Sequence, residues 1–368
     1  MTTDDMASGS PVLPPTRSRW ARARRRLLRV GAILLALVTV VGGGAYLARD
    51  RIVDFAVRKQ LTGSEPDPAY LADDGRVRIL TCGTGSPELS KAAQACTMVA
   101  AGGRMFLFDV GEGSARSLNN SNVDLARIDH VFLTHFHSDH FNGLGAFVNQ
   151  RWNWGATTAL EVSGPPGVAQ VVDGINNAYT LDIGYRTDDM AKLAGEAAAA
   201  TAKPVPTPIP VGQDSVRVYD EGGVTIDAVV VDHAPVEPAY GYVLRYQGKK
   251  VFVSGDTIVT PKTLPAMQDA DIVVHEAYAN HMVERAIPIM RDLGLDSDAD
   301  IAQGTSHYHA DTIALAEQAQ QAGVDHLVLT HLIPYVDNIV TRTMFVSGMS
   351  DKYDGAITVA QDGTLIVL

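Results

Sequence analysis

The stretch HVFLTHFHSDHFNG, residues 130–143, sets three histidines and an aspartate into six positions directly after an apolar run. Residues two apart on an extended strand point the same way, so His135 and His137 can grip one cation together. Asp139 and His140 follow where the chain turns toward a helix, and can face a second cation beside the first. Imidazole and carboxylate form a ligand set that zinc accepts and that iron or manganese can also use. With 11 histidines in 368 residues, chance alone would place this grouping in roughly one such chain per thousand, so an incidental surface cluster accounts for it poorly.

Four ligands from one loop cannot fill two metal shells, so others must come from afar. Three stand at the ends of predicted strands: His233 in VVVDHAP, Asp256 in FVSGDT and His331 in LVLTH. Taken singly, each reads as a packing or capping residue. Strand ends meet at one edge of a sandwich, and there all three can join the histidine loop.

The rest of the pattern fits such a sandwich. VRILTCGTG (77–85) reads as a strand into a glycine turn, and CTMVAAGGRMFLFDVGEG (96–113) as a hairpin followed by a glycine loop. LARIDHVF is a short helix and a buried strand, and LEVSGPPGVAQVVDGINNAY (160–179) a strand, a turn and a helix. Residues 186–215 run from Ala-rich to Pro-rich and read as an insertion or lid. Four strands follow in quick succession, VTIDAVVVDHAP, YGYVLRY, KVFVSGDT and DIVVHEAY, then the helix ADTIALAEQAQQAG and the strand HLVLTH. AITVAQDGTLIVL (356–368) reads as a closing hairpin about Asp362-Gly363. Two β-rich halves, each with helices, predict an α/β fold of four layers, an αββα sandwich, as one domain over 76–368.

The ordered set His-x-His-x-Asp-His, later His, Asp and His resembles that of the metallo-β-lactamase-fold hydrolases, and the resemblance spans residues 76–368. It implies that one metal is held by His135, His137 and His233, the other by Asp139, His140 and His331, with Asp256 bridging. It also implies a metal-bridging hydroxide as nucleophile, with Asp139 orienting it and accepting its proton. Two divalent ions are then the cofactors, zinc first, with iron and manganese as alternatives. Glu276 in VVHEAY and His309 in SHYHADT resemble a Glu–His pair of the ribonuclease Z and arylsulfatase-like branch. The pair would serve the leaving oxygen or the developing charge. The loop here runs His309-Ala310-Asp311-Thr312, which departs from that branch's usual His-Ser-Thr, and His307 competes for the role. SGPPG (163–167) and EPAYGYVL (237–244) match the same branch as structural turns and strands.

Hydrophobic residues at 46% and charged residues at 20% describe an ordinary globular chain. The net charge of −12 hides an asymmetry: residues 1–60 hold 11 Arg and Lys against 4 Asp, which leaves the remainder strongly acidic. The basic part explains itself. Residues 1–29 form a basic cytoplasmic tail, and 30–48 carry no charge and are long enough to cross a bilayer. By the positive-inside rule the body then lies on the extracytoplasmic side, after a connector over 49–75. Secretion after signal cleavage is the alternative, and RRRLLR also resembles a twin-arginine signal. Cys82 and Cys96, the two cysteines, fall on consecutive predicted strands; a disulfide and a pair of buried thiols both remain open.

These readings lead to a binuclear hydrolase of a small-molecule ester, a phosphodiester or a sulfate ester, tethered to a membrane. A tRNA 3′-processing endoribonuclease is the alternative, followed by a lactonase or a non-enzymatic metal-binding module. Nucleic acid is not expected as a partner, because the body is acidic and 186–215 hold only Arg186, Lys192 and Lys203 as bases. Assembly as a homodimer is left open. Trp152, Trp154, Tyr179 and Tyr185 either line a substrate pocket or pack as core and lid.

Overall fold

Along β3 (Arg104–Phe108) the side chains alternate between two cores: Met105 and Leu107 enter one, Phe106 and Phe108 the other. β12 (His326–Ile333) does the same, with Val328 in the core it shares with Phe106 and with Leu327 and Leu329 in a third. A strand buried on both faces requires a layer above and a layer below it. Two such sheets stacked face to face give the four-layer αββα sandwich. The protein, a computed structural model, is described over residues 19–62, 65–87, 90–190, 192–193 and 196–368. It divides into two compact units, one ending at Glu65 and one spanning Pro66–Leu368.

In the first unit, α1 (Arg19–Leu47) contains an apolar span, Ala23–Leu47, of 25 residues. At 1.5 Å per residue that is roughly 37 Å, beyond the ~30 Å of a hydrocarbon core. A second helix, α2 (Arg49–Thr62), occupies much of the stretch expected to be a connector. The first 18 residues of the basic tail lie outside the described residues.

In the second unit, one sheet runs β14 (Thr364–Val367), β1 (Arg78–Gly83), β2 (Cys96–Ala101), β3, β4 (Ile128–Phe132), β5 (Leu160–Gly164), β6 (Ala202–Pro206). The other runs β13 (Ala356–Val359), β12, β11 (Ile272–Tyr278), β10 (Lys249–Val253), β9 (Val236–Tyr246), β8 (Val224–His233), β7 (Ser215–Glu221). Each sheet is antiparallel in one half and parallel in the other: β3 to β6 and β10 to β13 are joined by parallel ladders. Helices α3 (Ser114–Asn120), α5 (Leu144–Asn153) and α6 (Val168–Ala178) cover the first sheet with Leu118, Phe147 and Val172. On the second sheet lie α8 (Leu264–Met267) and α11 (Thr312–Ala322), through Met267, Leu315 and Ala319. Parallel strands end at a common edge, and loops leaving that edge are where an open α/β sheet builds its site.

Two expectations change, and one unassigned stretch is filled. The C-terminal residues turn at Asp362-Gly363, but β13 pairs with β12 and β14 with β1, so the two strands close separate sheets and form no hairpin. Asp362 fixes the crossing by accepting from Thr84 N (3.0 Å), Thr84 Oγ1 (2.9 Å) and Ala93 N (2.6 Å). The Ala- and Pro-rich segment is partly regular: α7 (Thr180–Asp189) runs into its start, and β6 extends the first sheet as a parallel edge strand on which a proline is tolerated. Residues 280–305, unassigned from sequence, form two helices, α9 (Asn280–Asp292) and α10 (Asp296–Thr305).

The cysteines resolve as a disulfide, Cys82–Cys96, between neighbouring strands β1 and β2. The 14-residue separation makes a modest loop, and closing one of that size constrains the unfolded chain by about 3 kcal/mol. Replacing both cysteines by serine is expected to lower stability by about 2–4 kcal/mol, measured as the urea midpoint of the full chain in detergent. A midpoint shared by the oxidised wild type and the double variant would contradict the disulfide.

Candidate metal centre and active site

The histidine loop leaves the C-terminal end of β4, and α4 (Ser138–Phe141) begins at once. His135 and His137 therefore lie on extended backbone, while Asp139 and His140 lie in the first turn of a helix. His233 closes β8, Asp256 follows β10, and His331 lies near the end of β12. All seven come together. The ligating atoms of His135, His137, His233 and Asp256 lie within 4.8 Å of one another, and so do those of Asp139, His140 and His331. Asp256 Oδ2 stands between the two groups, 3.3 Å from His140 Nε2, 3.4 Å from His331 Nε2, 3.8 Å from His233 Nε2 and 3.9 Å from His135 Nε2.

The backbone is forced where it serves this meeting. Along the β11–β12 ladder Glu276 pairs with Thr330 and Ala277 with Leu332, so His331 is an extra, bulged residue, and its φ is +44°. A bulge re-aims a side chain, and here it turns His331 toward Asp139, with Nε2 3.1 Å from Oδ2. Gly255, at φ +61°, admits no side chain: a Cβ there would lie 2.6 Å from the Tyr240 carbonyl oxygen and 2.8 Å from Thr134 Cβ. Gly111 likewise lets the backbone of Asp139 pass, at 2.2 Å from where its Cβ would be.

A second layer orients the rings. His140 Nδ1 faces Asp109 Oδ2 at 2.7 Å, His135 Nδ1 faces Thr134 Oγ1 at 3.0 Å, and His233 Nδ1 faces the Tyr308 carbonyl oxygen at 2.9 Å. With Nδ1 engaged outward, Nε2 of each ring points inward, the arrangement that metal-binding histidines use. Asp109 is the residue that sequence reasoning missed. It also accepts from Thr134 N (2.8 Å) and Thr134 Oγ1 (2.8 Å), at a φ of +58°. Its signal was present: like Asp256, it follows the last residue of a strand beside a glycine loop, in LFDVGEG.

The donors fit cations. His135 Nε2, His140 Nε2 and Asp256 Oδ1 are buried and have no hydrogen-bond partner among the described residues. Burial pushes His135 well down and lowers His137 and His233, which leaves three neutral rings. Burial also acts on His331, but the carboxylates of Asp256 and Asp139 outweigh it and raise the ring to about 9. Asp256 and Asp109 raise His140 in the same way against its burial. Asp256, which burial would push up, is held well down by His331 and His140.

Glu276 and His309 form a pair beside this centre. Glu276 Oε1 lies 3.0 Å from His309 Nδ1 and accepts from Ala310 N (3.0 Å) and Thr257 N (3.2 Å). His307 is exposed and takes no part. His309 also belongs to a third group within ligating distance, with Asp256 and His331. The four aromatic candidates stand apart. Trp152 is buried with Leu193 and Ala199, Tyr179 covers Gly145, and Trp154 and Tyr185 are exposed.

Residues 77–324 match the family model of the anti-Pycsar protein Apyc1. Ribonuclease Z of Mycobacterium marinum is 33% identical over 266 residues, which cover 71% of this chain and 88% of that enzyme. Ribonuclease Z of Mycolicibacterium paratuberculosis is 33% identical over 263 residues, 70% and 86% of the two chains. The fold is shared with the metallo-β-lactamase fold protein YhfI of Bacillus subtilis (TM-score 0.56, 17% identity, 80% of this chain and 100% of that one). Human tRNase Z, short form, shares it too (TM-score 0.56, 20% identity, 78% and 98%). These relatives overturn the expectation that nucleic acid is no partner: proteins named as ribonucleases match this chain over nearly their whole length. Net charge misled there, because a substrate answers to the local field of a site and not to the charge of the whole body. Hydrolases of this fold use divalent metal ions, and the clustered His and Asp residues here are of that kind. The chain belongs to the metallo-β-lactamase-fold hydrolases, in their ribonuclease Z branch and within the family of the anti-Pycsar protein Apyc1, and is a metallo-hydrolase of ester bonds.

Proposed function

We propose that this protein is a binuclear phosphodiesterase of the ribonuclease Z type whose substrate is RNA. One observation carries the reading: 33% identity across 88% of a ribonuclease Z, in a chain that places a Glu–His pair beside two ligand groups sharing one carboxylate. His135, His137 and His233 would hold one cation, Asp139, His140 and His331 the other, and Asp256 both. Zinc suits this set best, with iron and manganese as alternatives. Bound divalent ions supply a water acidified to near neutrality and offset the charge of the phosphoryl group.

The side chains do the rest. Asp139 orients the attacking water and takes its proton. His309 Nε2 faces the leaving oxygen while Nδ1 stays on Glu276, whose carboxylate steadies the charged ring. After the proton is given up, the neutral ring keeps its Nδ1–H on Glu276, so one tautomer serves the whole cycle.

The reading extends to location. The apolar span of α1 carries Arg24, Arg25, Arg26 and Arg29 at its N-terminal end, and these favour the cytoplasm. The Cys82–Cys96 disulfide suits an oxidising compartment. Both support a hydrolase on the extracytoplasmic side, where, with α1 kept as an anchor, it meets its RNA outside the cytoplasm.

With metal-loaded full-length protein in detergent, cleavage of precursor tRNA and single-stranded RNA is expected. Asp256→Ala should lose about a thousandfold or more, and Glu276→Gln about a hundredfold. Intact RNA beside rapid hydrolysis of a sulfate ester or lactone would sink the substrate assignment. Metal uptake offers a second check. His331, at about 9, and His140, raised well above its ordinary value, hold protons at pH 7 that ligation must displace. Calorimetric zinc titration of the apo protein, in buffers of different ionisation enthalpy, should show release of about one to two protons. A heat independent of the buffer would contradict the ligand set. For location, alkaline phosphatase fused after Leu368 should be active in intact cells, and the chain should stay with membranes at its full mass. Activity confined to lysed cells would reverse the orientation, and a shortened soluble form would mean secretion.

A further inference from the structure

His331 has to be held from outside its own ladder. As the bulged residue of β12 it has no partner on β11, and its φ of +44° is a left-handed conformation that costs a residue with a side chain. On the opposite side β13 pairs only as far as Leu329, so residues 330–332 have no strand beside them there among the described residues. The end of β1, a strand of the other sheet, takes that place. Thr330 Oγ1 donates to the Gly83 carbonyl oxygen (3.3 Å) and Leu332 N to the Thr84 carbonyl oxygen (3.0 Å). Each neighbour of His331 is thus tied to one of two consecutive carbonyls.

Those carbonyls are fixed in turn. Asp362 is exposed as a residue, yet both of its carboxylate oxygens are engaged: Oδ1 by Thr84 N (3.0 Å) and Thr84 Oγ1 (2.9 Å), Oδ2 by Ala93 N (2.6 Å). Gly83 has little freedom either, since a Cβ on it would overlap the Gln94 carbonyl oxygen, and Cys82 before it is bonded to Cys96. The route runs from Asp362 to Thr84, from Thr84 to Leu332, and from Leu332 to the bulge that sets His331 Nε2 3.1 Å from Asp139 Oδ2. His135 and His233 are aimed by Thr134 and Tyr308, which stand outside it. We propose that Asp362 is a positioning residue for the second ligand group: by fixing Thr84 it holds the bulge, and so keeps His331 in place to share a cation with Asp139 and His140. This rests on the two-cation reading of the site and gives the turn between β13 and β14 a part in loading it. A carboxylate suits the task because its charge strengthens three hydrogen bonds at once.

The test is a zinc titration of the apo full-length protein in detergent, followed by calorimetry and closed by elemental analysis. It compares wild type, Asp362→Ala and Asp362→Asn. The wild type is expected to take up two equivalents. Asp362→Ala should bind one of them within about twofold of the wild-type Kd and the other about ten- to a hundredfold more weakly. Asp362→Asn, whose amide oxygen still accepts from Thr84, should lose less of the second and nothing of the first. Wild-type affinity for both equivalents in Asp362→Ala would overturn the assignment. So would an equal weakening of both, since Asp362 would then support only the fold. If Asp362→Ala shows no thermal unfolding transition, Asp362→Asn decides by the same comparison. A wild type that takes up a single equivalent would instead refute the two-cation reading itself, and the assignment with it.

Discussion

Asp256 is a carboxylate with almost no contact with water, surrounded by imidazoles. It is 2% exposed, five ring nitrogens lie 3.3–3.9 Å from one of its oxygens, and the other oxygen has no partner among the described residues. A buried charge left in that state costs several kcal/mol. Neutral rings cannot offset it, and protonating all five would replace one excess of charge with a larger one. Without cations the balance falls on His140 and His331, the two rings held above their ordinary value. Divalent ions held by the proposed ligands would resolve the conflict at once: they would neutralise the carboxylates and take up the lone pairs that burial leaves on His135 and His233. The polar core of this fold is therefore coupled to its metal chemistry.

Topology makes that core possible. The parallel half of each sheet sends its strand ends to one edge, and each half contributes an aspartate just beyond a strand, Asp109 after β3 and Asp256 after β10. One orients a ligand ring and the other lies between the two ligand groups. The strand ends alone do not suffice. His331 reaches Asp139 through a bulge, Asp109 is held at a positive φ, and Gly255 passes where no side chain fits. Such conformations persist where surrounding packing overdetermines them. Here that packing is close at hand: Tyr242 and Phe108 in the shared core, and the β11–β12 ladder on either side of the bulge.

Much of this was legible in the amino-acid sequence because it rests on local pattern. Unbroken apolar runs such as VFL and LVL marked strands buried on both faces, and polar ligands just past an apolar run marked strand ends. What escaped was whatever depends on a partner distant in sequence. Asp109 looks like one more acidic residue before a glycine turn until His140 is found 2.7 Å away. The last strands read as a hairpin because Asp362-Gly363 is a turn signal. Periodicity carries no information about which sheet accepts each arm, and three hydrogen bonds to residues 84 and 93 decide it. His307 and His309 share a face by spacing, and only the position of Glu276 separates them. The helix α9 was legible by the same rule, because Met282, Val283, Ala286, Ile287 and Met290 recur at helical spacing along it, although α9 and α10 fully bury only Val283 and Ala299 between them.

The ligands also differ in how they are held. Three rings have Nδ1 fixed by protein oxygens, two of these belonging to Asp109 and Thr134, which are themselves hydrogen-bonded to each other, and the third to the Tyr308 backbone. Those rings keep their aim whether or not cations are present. His331 lacks such an anchor: its Nδ1 is buried without a partner, and its direction comes from the bulge and from Asp139. Orientation by a fixed second layer reduces the side-chain entropy lost on binding, whereas orientation by a carboxylate that must also meet the cation ties two ligands to one event. The centre thus joins a pre-aimed group, His135 and His233 with His140 beside them, to a mutually dependent pair, Asp139 and His331. Asp256 lies within reach of both, which gives a single buried carboxylate its hold over the whole site.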